Sequence, residues 1–138
     1  MSAVFNLHIR SADRDFYEGE CAQLSLRLSD GELGLLANHS PMVAAVTPGL
    51  LTYRTPEGES VTVVAGSGIV RFADNDALVL LDSVERPEEI DVHRAHAAEA
   101  MAQLAIKASR TPQERAKAQG DMERAKNRLR AAEFLQSV

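Results

Sequence analysis

Residues 31–51 read GELGLLANHSPMVAAVTPGLL. Gly31, Gly34 and Asn38 permit tight backbone turns, while Pro41 and Pro48 fix φ and remove a donor each. Between them lie two short apolar runs, Leu33-Leu35-Leu36 and residues 42–46. The pattern predicts a strand, an exposed turn and a second strand, closed by the Pro-Gly pair at 48–49. Glu32, Asn38, His39 and Ser40 are carried by that turn. Polar groups on a stiff support are what a docking surface needs.

The same grammar extends to both sides. Phe5-Leu7-Ile9 alternate with Asn6-His8-Arg10, and Leu24-Leu26-Leu28 with Ser25-Arg27-Ser29, the period-two pattern of half-buried strands. Residues 50–54 and the Val- and Thr-rich residues 60–65 flank the turn Pro56-Glu57-Gly58-Glu59 as a hairpin. Residues 69–72 and 77–81 flank a second turn, Ala73-Asp74-Asn75-Asp76. Short strands at regular spacing with no helical period between them predict an antiparallel β-sandwich over 1–86. Ala65-Gly66-Ser67-Gly68 fits neither the phosphate-binding loop nor the nucleophile elbow, and no helix pattern follows it. It reads as a glycine-rich bulge where two layers of sheet approach closely.

At Pro87 the period changes. Pro87-Glu88-Glu89 suits a helix start, and Ile90, Ala97, Met101, Leu104 and Ala108 form an apolar stripe at helical spacing. Ser109-Arg110 breaks the pattern, and Thr111-Pro112-Gln113-Glu114 reads as a capping box opening a second helix. Met122, Ala125, Leu129 and Ala132 make its stripe. The fold class expected is therefore α+β in two parts: a β-sandwich, 1–86, then an antiparallel α-helical hairpin, 87–138. The hairpin's stripes are rich in alanine, so it buries little area at about 25 cal/mol per Å² and is expected to open easily.

Composition narrows the function. Hydrophobic content of 45% is ordinary for a globular chain, while aromatics are only 4% and Trp is absent. No apolar run approaches the roughly 20 residues of a membrane-spanning helix. The N-terminal residues have neither signal-peptide nor transit-peptide character, so a cytosolic chain is expected, with docking onto a membrane complex left open. Cys21 stands alone, fits a reducing compartment and reads as a small buried hydrophobe. Net charge is −5, with 12 acidic and 6 basic residues in 1–86 against 8 and 9 in 87–138. That asymmetry suggests two modules with different partners, and the overall acidity argues against nucleic acid.

The opening stretch is similar to the GELGI-pGHaPl-pG signature of the epsilon subunit of bacterial F-type ATP synthases, and the likeness extends over the whole chain. The resemblance implies a rotor subunit of the central stalk that joins the gamma subunit to the ring of c subunits. Such a subunit couples proton flow to ATP synthesis while the catalytic chemistry sits on other chains. Glu32 and His39 match family residues at the contact with the c ring. Ile90-Asp91-Val92-His93-Arg94-Ala95 resembles the family's [I/L]-D-x-x-R-A motif, and residues 123–129 resemble its second segment. These imply a regulatory ATP site of Glu85, Ile90, Asp91, Arg94, Arg124 and Arg128. Arg124 and Arg128 share a helix face, and with the turn at 111 position 94 lies opposite 128. Three forked guanidiniums would then converge on one triphosphate. One departure is Met101, which stands where ATP-binding members carry a further arginine. No cofactor is required on this reading, ATP being a regulatory ligand.

Arg115, Lys117, Arg124, Lys126, Arg128 and Arg130 make the last helix basic. Its charge suits an acidic partner, and the family's extended C-terminal helices meet the catalytic alpha and beta subunits and block hydrolysis. The implied location is peripheral, on the cytoplasmic face of a bacterial plasma membrane, or the stromal face of a thylakoid for a photosynthetic source. One alternative is a free-standing β-sandwich ligand-binding module with a helical oligomerisation tail. Another is a small enzyme using His39 or the row His93, His96 and Glu99, although that row suits a solvated helix face better than a metal.

Overall fold

A computed structural model of the chain describes residues 3–136, with side chains through residue 133. Ten strands come first: β1 (Phe5–Ser11), β2 (Asp15–Cys21), β3 (Gln23–Leu28), β4 (Gly31–Leu36), β5 (Met42–Val46), β6 (Gly49–Arg54), β7 (Ser60–Ala65), β8 (Gly68–Ala73), β9 (Asp76–Leu81) and β10 (Val84–Glu85). A 3-10 turn (Pro87–Glu89) and two helices, α1 (Val92–Ala108) and α2 (Pro112–Gln136), follow. The chain divides into two compact units between Glu85 and Arg86.

In the first unit the hydrogen-bonded path runs β10-β7-β6-β3-β5-β8-β9-β1-β2, with β4 paired to β3 off the path. Strand β3 is the hinge of this arrangement. Its first residues, Gln23 to Ser25, pair with β6, whereas Leu28 at its end pairs with Val46 of β5. The sheet folds over there, and inward side chains from both halves meet in one core containing Phe5, Leu7, Leu24, Leu51, Val63 and Phe72. On the far side the Arg14 guanidinium, in the β1–β2 turn, donates to the Val84 carbonyl of β10 at 2.7 Å, linking the ends of the path. Cys21 is fully buried, its thiol 3.0 Å from the Gln23 carbonyl oxygen, and burial raises its pKa.

The sandwich departs from a purely antiparallel pattern at one pairing: β1 lies parallel to β9, with Leu7 opposite Ala77 and Ile9 opposite Val79. Alternation shows that a strand has one buried face but not which neighbour it takes or in which sense. Gly34 also differs from its expected place in a turn. It lies within β4 opposite Ser25, while Gly31 and Asn38 take the positive φ values, 133° and 65°. The β8–β9 connection is a two-residue hairpin with Asp74 and Asn75 both at positive φ, the type I′ geometry that matches strand twist. At Gly68 an added Cβ would lie 1.8 Å from the Leu80 carbonyl oxygen, and at Gly66 2.0 Å from the Asp82 carboxylate. The glycine-rich segment is thus a close backbone crossing.

In the second unit the α-helix begins later than Pro87. Residues 87–89 form only the 3-10 turn, and Asp91 is the N-cap of α1, its Oδ1 accepting from the Arg94 N–H at 3.1 Å. The α1 seam is also a different one. Ala95 and Ala102 are buried, with Ile106 half-buried, whereas Met101 and Leu104 are 68% and 63% exposed. Both rows have helical spacing, and the row with smaller side chains is the buried one. On α2, Ala118, Met122, Ala125 and Ala132 are buried and Leu129 half-buried, along the stripe expected. Thr111 Oγ1 accepts from the Glu114 N–H at 3.0 Å, and the Glu114 carboxylate reaches back to the Arg110 N–H at 2.8 Å. That reciprocal cap fixes the turn.

Candidate functional site

The β4–β5 turn is braced from beneath. The His39 N–H donates to the Leu36 carbonyl at 3.3 Å, and its ring lies edge-on to buried Phe72, centroids 5.7 Å apart. Nδ1 of His39 donates to the Ser40 carbonyl at 2.8 Å. Sequence reasoning did not find the residue that holds this turn, Asn75. Its Oδ1 accepts from the Asn38 N–H at 2.7 Å, its Nδ2 donates to the Val4 carbonyl at 2.9 Å, and its own carbonyl accepts from the Asn6 N–H at 3.1 Å. The only signal for it is an Asn in a two-residue hairpin. Glu32 is exposed at the other end of β4, beside Gly31. At about 3.3 Å per residue, the length of the strand separates it from His39. A docking surface using both would run along the β3–β4 hairpin rather than cover one loop.

A second unforeseen constellation lies on β1, on the face that alternates with its buried side chains. His8 Nδ1 is 2.9 Å from Glu18 of β2, and Nε2 is 3.0 Å from Asp76 of β9. Arg10 holds the same Glu18 oxygen at 3.0 Å. The Glu18 hydrogen bond is the main cause raising the His8 pKa above 6.5, against partial desolvation.

In the hairpin, Asp91 caps α1, Ile90 is half-buried just ahead of it, and Arg94 is exposed in the first turn. Glu85 ends β10 in the other unit, paired with Val64 of β7. Arg124 and Arg128 are half-buried and line a groove of about 350 Å³ with Asp121 and, across from them on α1, Ala98, Met101, Ala102 and Ala105. This volume is near the lower end for small-molecule sites. The groove thus brings together two of the three arginines expected to converge, with Met101 facing them, and Arg94 is not part of its lining. Next to it is a second groove of about 300 Å³, which shares Ala105 and Asp121 and adds Lys117 and Glu114.

The basic residues of α2 do not form one stripe. At roughly 100° per residue, Lys117, Arg124 and Arg128 share one side with Asp121, while Arg115, Lys126 and Arg130 lie on the opposite side. Arg115, Lys117, Lys126 and Arg130 are exposed. Asp121 pairs with the Arg124 guanidinium and lies 3.6 Å from the Lys117 ammonium; its carboxyl is held below its ordinary pKa, chiefly by the Arg124 hydrogen bond. Among the described residues no group of three His, Cys, Asp or Glu side chains is placed to hold a metal, so His93, His96 and Glu99 do not form such a site. No helix among them is long and apolar enough to cross a membrane.

The comparisons with known proteins agree with one another. Residues 4–87 match the family described as ATP synthase, delta/epsilon chain, beta-sandwich domain. The ATP synthase epsilon chain of Ruminiclostridium cellulolyticum is 34% identical over 129 residues, 94% of this chain and 96% of that one. That of Caldicellulosiruptor bescii is 34% identical over 131 residues, 95% of each chain. A chain in the cryo-EM structure of the Euglena gracilis mitochondrial ATP synthase superposes with a TM-score of 0.81 at 23% identity, covering 94% of this chain and 81% of that one, which shows a shared fold. With a family match over the sandwich and epsilon-chain relatives matched from end to end, helices included, this chain belongs to the epsilon chains of ATP synthase.

Proposed function

We propose that the chain is a rotor subunit in the central stalk of an F-type ATP synthase, coupling proton translocation to ATP synthesis. The observation that carries this is the 34% identity to an epsilon chain across 94% of the sequence. The sandwich is the docking body between the gamma subunit and the c ring, through the β3–β4 hairpin with Glu32 and His39. The braced β4–β5 turn supports this, because a docking loop held by Asn75 and Phe72 loses little entropy on binding. The chain performs no chemistry itself. It associates peripherally with the membrane complex, on the cytoplasmic face of a bacterial plasma membrane or the stromal face of a thylakoid.

The hairpin is the regulatory part. Packed, it permits hydrolysis; extended among the catalytic alpha and beta subunits, its basic residues meet an acidic segment of the beta subunits and stop rotation in the hydrolysis direction. Small buried side chains along the seam support an easily opened packing. ATP binds the packed form preferentially, through Arg94, Arg124 and Arg128 of the hairpin with Ile90 and Asp91, and so favours it.

The test is hydrolysis by an ATP synthase catalytic core stripped of its own epsilon chain. Adding the full chain should inhibit, and adding a chain ending at Arg86 should bind without inhibiting. Binding of both with inhibition by neither would leave a coupling subunit without a brake. If neither binds, the rotor assignment fails. Arg94→Ala and Arg128→Ala should each abolish ATP-dependent compaction of the hairpin, and wild-type ATP binding in both would remove the nucleotide site.

A further inference from the structure

The row Lys117, Asp121, Arg124, Arg128 has spacings of four, three and four, so all four side chains emerge on one side of α2. Three are cations and the second is a carboxylate. Asp121 lines both grooves on this side of the hairpin, the one containing Lys117 and the one containing Arg124 and Arg128. It contacts the cation on either side of it, Lys117 at 3.6 Å and Arg124 through a charge-assisted hydrogen bond. Apart from this carboxylate, the trough of these two adjoining grooves has alanine as its commonest lining residue and carries three cations, Lys117, Arg124 and Arg128, against one other carboxylate, Glu114 beside Lys117.

We propose that Asp121 is a resident counter-anion that occupies the phosphate-binding position of this trough and sets its affinity for polyphosphate-bearing ligands. The inference rests on the nucleotide reading of the hairpin and deepens it by naming what regulates the site. A ligand phosphate must displace Asp121 from Arg124 and then remain close to it, so the carboxylate opposes binding twice. It competes for the donor, and it repels the incoming charge. The side chain of Asp121 is 43% exposed, so it can swing into solvent without strain on the helix. The empty trough thus keeps a reduced positive charge, and it holds monovalent and weakly charged anions poorly while admitting a chain of phosphates able to engage all three cations.

The test uses the full chain and two probes, ATP and inorganic tripolyphosphate, titrated calorimetrically at low ionic strength. Asp121→Asn should bind both about tenfold more tightly than wild type, as expected when one like charge leaves a half-exposed groove. Asp121→Glu keeps the carboxylate and should restore weak binding, with circular dichroism showing equal helix content in all three proteins. Adding Arg128→Ala to Asp121→Asn should cancel the gain. A gain that persists in that double variant would come from net charge and would overturn the proposal. So would unchanged affinity in Asp121→Asn where Arg128→Ala alone weakens wild-type binding, and the nucleotide reading would then survive. A gain for tripolyphosphate alone would uphold Asp121 and remove the adenine from the reading. No binding of either probe by wild type or Asp121→Asn would overturn both.

Discussion

His8 satisfies Glu18 and Asp76 together only as an imidazolium, because a neutral ring has one N–H to donate. Its folded pKa is raised above 6.5, so its contribution to stability is complete below that value and fades as pH rises through the folded pKa. Glu18 has the opposite sign: its pKa is lowered from 4.5, first by His8, so its contribution fades as pH falls through its folded value. Between them the clamp joining β2, β1 and β9 is fully charged. The thermal midpoint should therefore fall between pH 6 and pH 8 in the wild type and fall less in His8→Gln. An equal fall in both would assign the titration to another group. Gly68 gives a test by shape. Its Cβ would strike the Leu80 carbonyl oxygen at 1.8 Å, and backbone cannot yield as a side-chain tip does. Gly68→Ala should cost more than about 2 kcal/mol by urea unfolding. Gly34→Ala, with nothing within 4 Å of the added methyl, should stay within about 0.5 kcal/mol of wild type. Equal losses in the two would mean that the close crossing relaxes freely.

The elements divide by how much of their environment is local. Strands β1, β3, β6, β8 and β9 show in the sequence because each buries mainly one face, β7 shows through its Val and Thr content although both its faces are buried at the end, and the capped start of α2 shows because its hydrogen bonds join neighbours in the chain. Strand β2 does not show. Its seven residues, Asp15–Cys21, include two adjacent half-buried aromatics and a glycine, the blurred pattern of an edge strand. The α1 seam was misplaced because Ala97, Met101, Leu104 and Ala108 keep helical spacing as well as Ala95, Ala102 and Ile106 do. Residue size favoured the wrong row. The arginine pair of the groove was legible from i, i+4 spacing, whereas the role of Asp121 depends on two grooves meeting and is not. Buried Asn127, 2% exposed, is the weak point of α2: its Oδ1 accepts from Arg130 at 2.6 Å, but its Nδ2 has no partner among the described residues. An unsatisfied buried amide costs about 1–3 kcal/mol. Asn127→Leu should then raise hydrogen-exchange protection across α2 and weaken inhibition of the catalytic core. Lower protection would show that the amide is satisfied in solution.

For the whole molecule the question is whether the two units are also two folding units. The main core cluster draws every member from residues 5–84, and the partly buried side chains packed on it come from the same span. Backbone pairing across β1 to β10 is likewise complete before Arg86. The buried set of the helical unit is mostly alanine, each methyl worth about 0.8 kcal/mol when removed from water, with Met122 its largest apolar member. A chain ending at Arg86 should therefore unfold in one cooperative transition. For a domain of this size about 1 kcal/mol moves the midpoint by 4–8 °C, so its midpoint should lie within that margin of the full chain's main transition. In the full chain, exchange protection should be higher in β1, β8 and β9 than anywhere in α1. A truncated chain that melts broadly, or much lower, would mean that the sandwich needs the helices to fold.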